Sequence, residues 1–208
     1  MTYQQRLNFL GSRARVAGVD EAGRGPLAGP VVAAAVVLDE TNPIDGVRDS
    51  KSLTARQRAR LARAIRQCAR AFALALVEPE EIDEINILRA SLLAMERAVL
   101  RLRITPDHVR VDGNQIPVFH GHARRFTIEP VVRGDQSVAA ISAASILAKV
   151  CRDRLMQRWH RRYPLYGFDR NKGYPTPGHL RALQQFGPSP IHRQSYAPVY
   201  RAQEKYRA

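Results

Sequence analysis

The chain has 208 residues, 45% of them hydrophobic, and its 33 Lys+Arg against 19 Asp+Glu leave a formal net charge of +14. That length suits one domain with a real core, so residues 1–208 are expected to form a single domain. The longest apolar run, Val31 to Leu38, is far short of a membrane span, and two cysteines, Cys68 and Cys151, with no CxxC pairing give no sign of a disulfide scaffold or a thiolate zinc site.

Met1 to Arg15 is polar and lacks the apolar stretch of a signal peptide, so a cytoplasmic location is expected. Ala14 to Asp20 and Val31 to Asp39 read as two strands, joined by the Gly- and Pro-rich stretch Ala22 to Pro30. The second is apolar on both faces, as a covered central strand should be. Thr54 to Arg70 reads as a helix, with Leu61, Ile65 and Cys68 on one face and Arg56, Arg60, Arg63, Arg66 and Arg70 over much of the rest. Ala71 to Val77 is a third strand, and Pro79-Glu80-Glu81 opens a short helix with acids in its first turn. Ile87 to Arg103 is an amphipathic helix whose stripe is Leu88, Leu92, Met95, Val99 and Leu102.

His108 to Asp112 and Phe126 to Val132 read as further strands, followed by a long helix from Asp135 to Arg162. Its small residues, Ala139, Ala140, Ala143, Ala144 and Ala148, let it lie close to a sheet. Tyr163 to Pro177 is turn-rich, His179 to Phe186 is a last helix, and the tail from Pro188 is expected to be an irregular cap. Strands alternating with helices, early hairpin-like strands and a late helical part predict an α/β fold with a mixed sheet. Residues from about 163 onward extend it.

Four acids fall at strand ends or just beyond them: Asp20 and Glu21 after Val16-Ala17-Gly18-Val19, Asp112 after Val109-Arg110-Val111, and Asp135 after Val131-Val132-Arg133-Gly134. Strand ends in an α/β sheet gather at one edge, so these acids can meet there. Acids gathered without basic partners raise one another's pKa unless a cation neutralises them, and hard carboxylate oxygens suit Mg²⁺ or Mn²⁺. The net charge points to a polyanion, with nucleic acid ahead of a membrane because no amphipathic anchor stands out. Part of the Arg excess reads as compositional, since Arg far outnumbers Lys.

The segment from Val16 through Asp20-Glu21-Ala22-Gly23-Arg24-Gly25-Pro26 to Pro30 closely resembles the signature of the type 2 ribonucleases H, the ribonuclease HII family. The resemblance continues in family order through Asp49-Ser50-Lys51-Ser52-Leu53, Val111-Asp112-Gly113-Asn114, Gly134-Asp135, and Ile141 to Lys149. It ends with Asn171-Lys172-Gly173-Tyr174-Pro175-Thr176 and His192-Arg193-Gln194-Ser195-Tyr196. It implies a ribonuclease H-like mixed sheet flanked by helices, with a small helical C-terminal part. It implies an endonuclease that cuts RNA–DNA hybrids, and nicks 5′ to single ribonucleotides embedded in duplex DNA, leaving 5′-phosphate and 3′-hydroxyl ends. The family's acidic quartet falls on Asp20, Glu21, Asp112 and Asp135, serving two Mg²⁺ or Mn²⁺ ions. Gly23, Arg24 and Gly25 would read the 2′-hydroxyl, Tyr174 would pack on the following deoxyribose, and Lys51 would meet a phosphate. A monomer is expected. Tyr196 stands where the family usually has phenylalanine, Arg48 where a small residue is common, and the stretch between Asp112 and Asp135 is slightly long, placed in the loop His120 to Arg125.

From the residues alone, Asp20 is the choice for an ion-bridging carboxylate, while Glu21 alternates to the other side of the strand. The bland readings stand beside these. A lone strand-end Asp is usually a cap or turn residue, and Asp135 opens a helix where it could cap. A lone GxG is usually a plain turn, and a loop Lys is usually solvated. Tyr163, Tyr166 and Phe168 are better core aromatics than Tyr174. Lys172 and Arg193 are weaker phosphate candidates, Ser142 and Ser145 read as packing residues, and the six histidines show no ligand spacing. Another nuclease or resolvase on the same fold would not need a 2′-hydroxyl sensor, and a binder without catalysis would gain nothing from clustered acids.

Overall fold

A computed structural model of the chain describes residues 14–47, 53–119 and 126–207. The expectations for Arg48, the Asp49 to Ser52 motif with Lys51, and the His120 to Arg125 loop lie outside the described residues. Five strands form one mixed sheet: β1 (Val16–Ala22), β2 (Val31–Val37), β3 (Ala71–Val77), β4 (His108–Asp112) and β5 (Thr127–Val131), in the order β3-β2-β1-β4-β5. The first three pair antiparallel, while β4 joins β1 and β5 joins β4 in parallel. β2 is buried along its whole length, as its unbroken apolar run requires. β5 carries Pro130, which an edge strand tolerates because one side of its backbone needs no partner.

Between the strands lie α1 (Ala55–Cys68), α2 (Pro79–Ile85) and α3 (Ile87–Leu100). Thr54 and Gln57 close a capping box at the start of α1. After the sheet come α4 (Gly134–Ser137), α5 (Ala139–Arg162), α6 (Phe168–Asn171), α7 (Pro177–Phe186) and α8 (Ala197–Arg207). One core lies between the sheet and α3. It is centred on Ala90, Ala94, Met95, Ala98 and Val99, so the alanines sit deepest and Leu92 flanks them rather than leading. The second core, with Ala143, Ala144, Ile146 and Leu147 of α5 and Ile65 of α1, covers the opposite face. Here the helix comes very close: a Cβ on Gly18 would stand 2.1 Å from the Ala140 carbonyl carbon.

Two expectations are corrected. The long helix expected from Asp135 is broken at Val138, whose φ of −113° and ψ of 111° are extended, so Asp135 stands on a separate single turn. The tail is not irregular throughout: Ala197–Arg207 is helical, with Val199 and Ala202 packed beside Leu27 and Leu183. The cysteines Cys68 and Cys151 are free and partly buried.

Candidate active site

β1 runs two residues farther than its parallel neighbour. Its pairing with β4 stops at Val19–Val111, while its pairing with β2 continues through Asp20, Glu21 and Ala22. The next register positions on β1 and β4 are Asp20 and Asp112, so the two acids are brought side by side where the parallel ladder ends. Asp135 joins them from the first turn of α4, its backbone amide donating to Asp112 Oδ1 at 3.2 Å. Asp135 does not act as the cap: that position belongs to Arg133, in the left-handed region with φ 55°.

Asp20 is only 6% exposed. Its Oδ1 accepts the Glu21 amide at 2.7 Å, and the Ser145 hydroxyl of α5 also donates to it. Burial pushes the Asp20 carboxyl well above the usual carboxylate range, and the charges of Glu21 and Asp112 add to the rise. Glu21 is raised too, first by burial and further by Asp112, while Arg24 opposes the shift from 3.4 Å. Glu21 and Asp135 stand on the wall of a cavity of about 460 Å³, together with Gly23, Arg24, Gly25 and Tyr174. Glu21 therefore faces the same space as Asp135, although it alternates with the buried Asp20 along the strand. Arg58 of α1 and Ser145 and Lys149 of α5 complete the rim.

The glycine loop is shaped from behind. Gly23 has φ +106°, and a Cβ there would collide with Arg152 Nε at 2.1 Å. Tyr174 is 41% exposed and its ring lies against Gly25, whereas Tyr166 and Phe168 are buried. Arg193 is fully buried and bonded to loop carbonyls, so it is not available to a phosphate. Lys172 Nζ is turned onto the Asp169 carbonyl. Ser142 and Ser145 do more than pack: Ser142 donates to the Asp135 carbonyl and Ser145 to Asp20. A hydroxyl one helical turn from another on the face toward strand ends was the available signal. His179 and His192 form a buried contact behind Tyr174, which no spacing rule announces.

Among the described residues, no three carboxylate, imidazole or thiol groups already converge into a ready-made metal-ligand set. The donor chemistry nevertheless fits a divalent cation. The donors are hard oxygens, and among the described residues no Lys, Arg or His is paired with Asp20 or Asp112. A buried carboxylate in that position must either keep its proton or be neutralised by an ion.

A mixed sheet with acids at one edge, a basic body and helices on both faces is the architecture of a ribonuclease H-like hydrolase. The structure superposes on ribonuclease H2 from Pyrococcus horikoshii OT3 with a TM-score of 0.80 and 33% identity, covering 93% of this chain and 99% of that one. It also superposes on Bst-RNase HIII in complex with Mn²⁺, with a TM-score of 0.74 and 19% identity, over 95% and 71% of the two chains. The sequence is 59% identical over 184 residues to ribonuclease HII of Delftia acidovorans, covering 88% of this chain and 76% of that protein. The Ribonuclease HII family profile matches residues 17–199. The chain belongs to the ribonuclease HII family, whose members are metal-dependent ribonuclease H endonucleases of RNA–DNA hybrids. No helix among the described residues is long and apolar enough to cross a membrane.

Proposed function

We propose that the protein cuts RNA–DNA hybrids, and DNA duplexes carrying a single embedded ribonucleotide, on the 5′ side of the ribonucleotide, leaving 5′-phosphate and 3′-hydroxyl ends. Asp20, Glu21, Asp112 and Asp135 are read as the catalytic carboxylates and as the holders of two Mg²⁺ or Mn²⁺ ions. When bound, such a pair of ions supplies activation of the attacking water and stabilisation of the leaving oxygen. The observation that carries this reading is the Asp20 carboxyl, buried beside Glu21 and Asp112 with no Lys, Arg or His paired to it among the described residues.

Each side chain has a part in that reading. Asp20 would be the carboxylate shared by the ions, and Asp112 and Asp135, linked by the bond from the Asp135 amide to Asp112 Oδ1, would complete their hold. Ser145 fixes the Asp20 rotamer, and Arg24 restrains Glu21. Gly23, Arg24 and Gly25 bring backbone to the sugar, where the 2′-hydroxyl is the sole difference between a ribonucleotide and a deoxyribonucleotide. Tyr174, exposed at the rim, offers a flat face to the next deoxyribose. Lys51 is assigned to a phosphate.

The test is direct. A DNA duplex with one ribonucleotide, labelled at either end, is incubated with the protein and Mg²⁺ or Mn²⁺, beside an all-DNA control and an RNA–DNA hybrid. One cut 5′ to the ribonucleotide, with 5′-phosphate and 3′-hydroxyl ends and an intact control, is expected. Cleavage of the hybrid alone would overturn the embedded-ribonucleotide part, and metal-independent cleavage would overturn the assignment of the acids.

A further inference from the structure

Two arginines are among the most buried side chains of the chain: Arg193 at 0% and Arg152 at 1% exposure. A buried guanidinium is costly unless its five N–H groups find acceptors. Here the acceptors are backbone carbonyls. Arg193 donates through Nε to Gly29 at 3.0 Å, through Nη2 to Gly23 at 2.6 Å and through Nη1 to Arg24 at 3.0 Å. Its own backbone amide donates to the Leu27 carbonyl at 2.8 Å. Arg152 takes the carbonyls of Pro30 at 3.0 Å, Ala28 at 3.0 Å and Lys172 at 2.9 Å. The Tyr196 hydroxyl accepts from Arg193 Nη1 at 3.0 Å and donates to the Arg24 carbonyl at 2.8 Å. The carbonyls of Gly23 and Arg24 are thus turned inward, toward positive charge, along with those of Leu27 to Pro30.

A trans peptide is planar, and its C=O and N–H point to opposite sides. Turning the Gly23 and Arg24 carbonyls inward turns the Arg24 and Gly25 amides outward. Both residues line the cavity beside Glu21 and Asp135. Among the described residues neither amide donates to a protein acceptor. A carbonyl that accepts from a guanidinium also polarises its peptide, so the opposite N–H becomes a stronger donor. The arginine charge reaches the cavity through the backbone while its side chain stays out of reach.

We propose that Arg193, seconded by Arg152 and Tyr196, is the positioning residue that sets the polarity of the loop at Gly23 to Gly25, so that the Arg24 and Gly25 amides meet the 2′-oxygen of the ribonucleotide. This rests on the reading of that loop as the sugar sensor. It explains why Arg193 is placed where no phosphate can reach it. It also explains why Gly23 has no side chain, since Arg152 fills the space a Cβ would take.

Binding separates sugar reading from cutting. In an Asp20→Asn background with Mg²⁺, dissociation constants are measured for a duplex with one ribonucleotide and for the same duplex in all-DNA form. The ratio of the two is the sugar preference. Tyr196→Phe, which removes one donor from the Arg24 carbonyl, is expected to lower the preference roughly threefold to tenfold, the worth of one hydrogen bond. Arg193→Lys, which keeps the charge and loses the fork, is expected to lower it at least as far. In both, affinity for the all-DNA duplex stays at the parent's value. An unchanged preference in both variants overturns the proposal, as does an equal loss on both duplexes. If thermal melting shows Arg193→Lys unfolded, Tyr196→Phe decides alone. A parent that shows no sugar preference overturns the reading of the loop itself, which is a different result from a parent with preference and variants that keep it.

Discussion

Asp20 carries a conflict that the protein by itself does not resolve. It is buried, its carboxyl is pushed well above the ordinary range by burial and then by Glu21, and its donors are the Glu21 amide and the Ser145 hydroxyl. A carboxyl whose folded pKa lies above its unfolded value stabilises the fold only while protonated. That contribution is lost as pH rises from the unfolded value through the folded one, so at neutral pH the buried Asp20 carboxyl destabilises the metal-free protein. Asparagine keeps the shape and removes the charge. Asp20→Asn is therefore expected to melt higher than wild type in EDTA, by roughly 2–4 °C for each kcal/mol relieved in a chain of this size. It is also expected to lose cleavage. Adding Mg²⁺ should raise the wild-type melting temperature and leave the variant nearly unmoved. A variant that melts lower in EDTA, responds to Mg²⁺ and still cuts would show that Asp20 is an ordinary structural carboxylate.

Between α7 and the segment before α8, the elements are joined by a chain of hydrogen bonds whose proton positions are forced. The Ser189 amide donates to His192 Nδ1 at 2.9 Å, so that nitrogen carries no proton. His192 then holds its proton on Nε2 and donates across 3.0 Å to His179 Nε2, which leaves His179 to donate from Nδ1 to the Tyr174 carbonyl at 2.9 Å. Protonating either ring would set two N–H groups against each other. Burial and the neighbouring His179 bring His192 down to about 3, and burial lowers His179 as well. The unfolded chain then binds protons that the folded one refuses. Stability is full above about pH 6.5 and falls as pH drops toward the folded value. From pH 7 to pH 5, His192 alone should cost about 2 kcal/mol, roughly 4–8 °C in melting temperature. Melts of wild type and His192→Gln across that range check it: the variant should lose a large part of the acid sensitivity, and equal sensitivity would show that the pair does not titrate. The helices and strands around this chain were largely legible, because period-2 and period-3.6 burial leaves a pattern in the residues themselves. Val31 to Val37 and the Ala face of α5 are instances. The break at Val138 was not legible, since Gly134 to Ser137 carries no breaker after the glycine. Nor was α8, where Val199 and Ala202 are the buried residues among those described. The acids of the site were legible because strand ends are readable. The buried arginines were not, because their carbonyl partners lie more than a hundred residues away for Arg152 at Pro30 and Arg193 at Gly23.

At the scale of the whole molecule, the charge set around the cavity that Glu21 and Asp135 line decides how a polyanion can approach. A net +14 would drive association with any nucleic acid. The acids of the cavity repel phosphate unless cations intervene, so productive approach must run over basic rims. Arg58 and Lys149 supply one rim, on neighbouring helices α1 and α5 that also carry exposed Arg56, Arg60, Arg63, Arg154 and Arg158. α1 holds no acid at all. A duplex lying across that rim would neutralise several phosphates at once and release their counterions. Affinity should then fall as a power of salt concentration, with about 0.9 added to the slope for each phosphate engaged. Measured with Mg²⁺ held constant, the slope of log affinity against log salt should be at least about 3 for wild type, by the same counting. Replacing Arg58 by glutamine should lower the slope by about 1 and weaken binding equally for duplexes with and without a ribonucleotide, because a phosphate contact carries no information about the sugar. A loss confined to the ribonucleotide duplex would move Arg58 from the rim into the sugar-reading machinery. A wild-type slope near zero would mean that the excess charge is surface composition and that shape and metal alone hold the substrate.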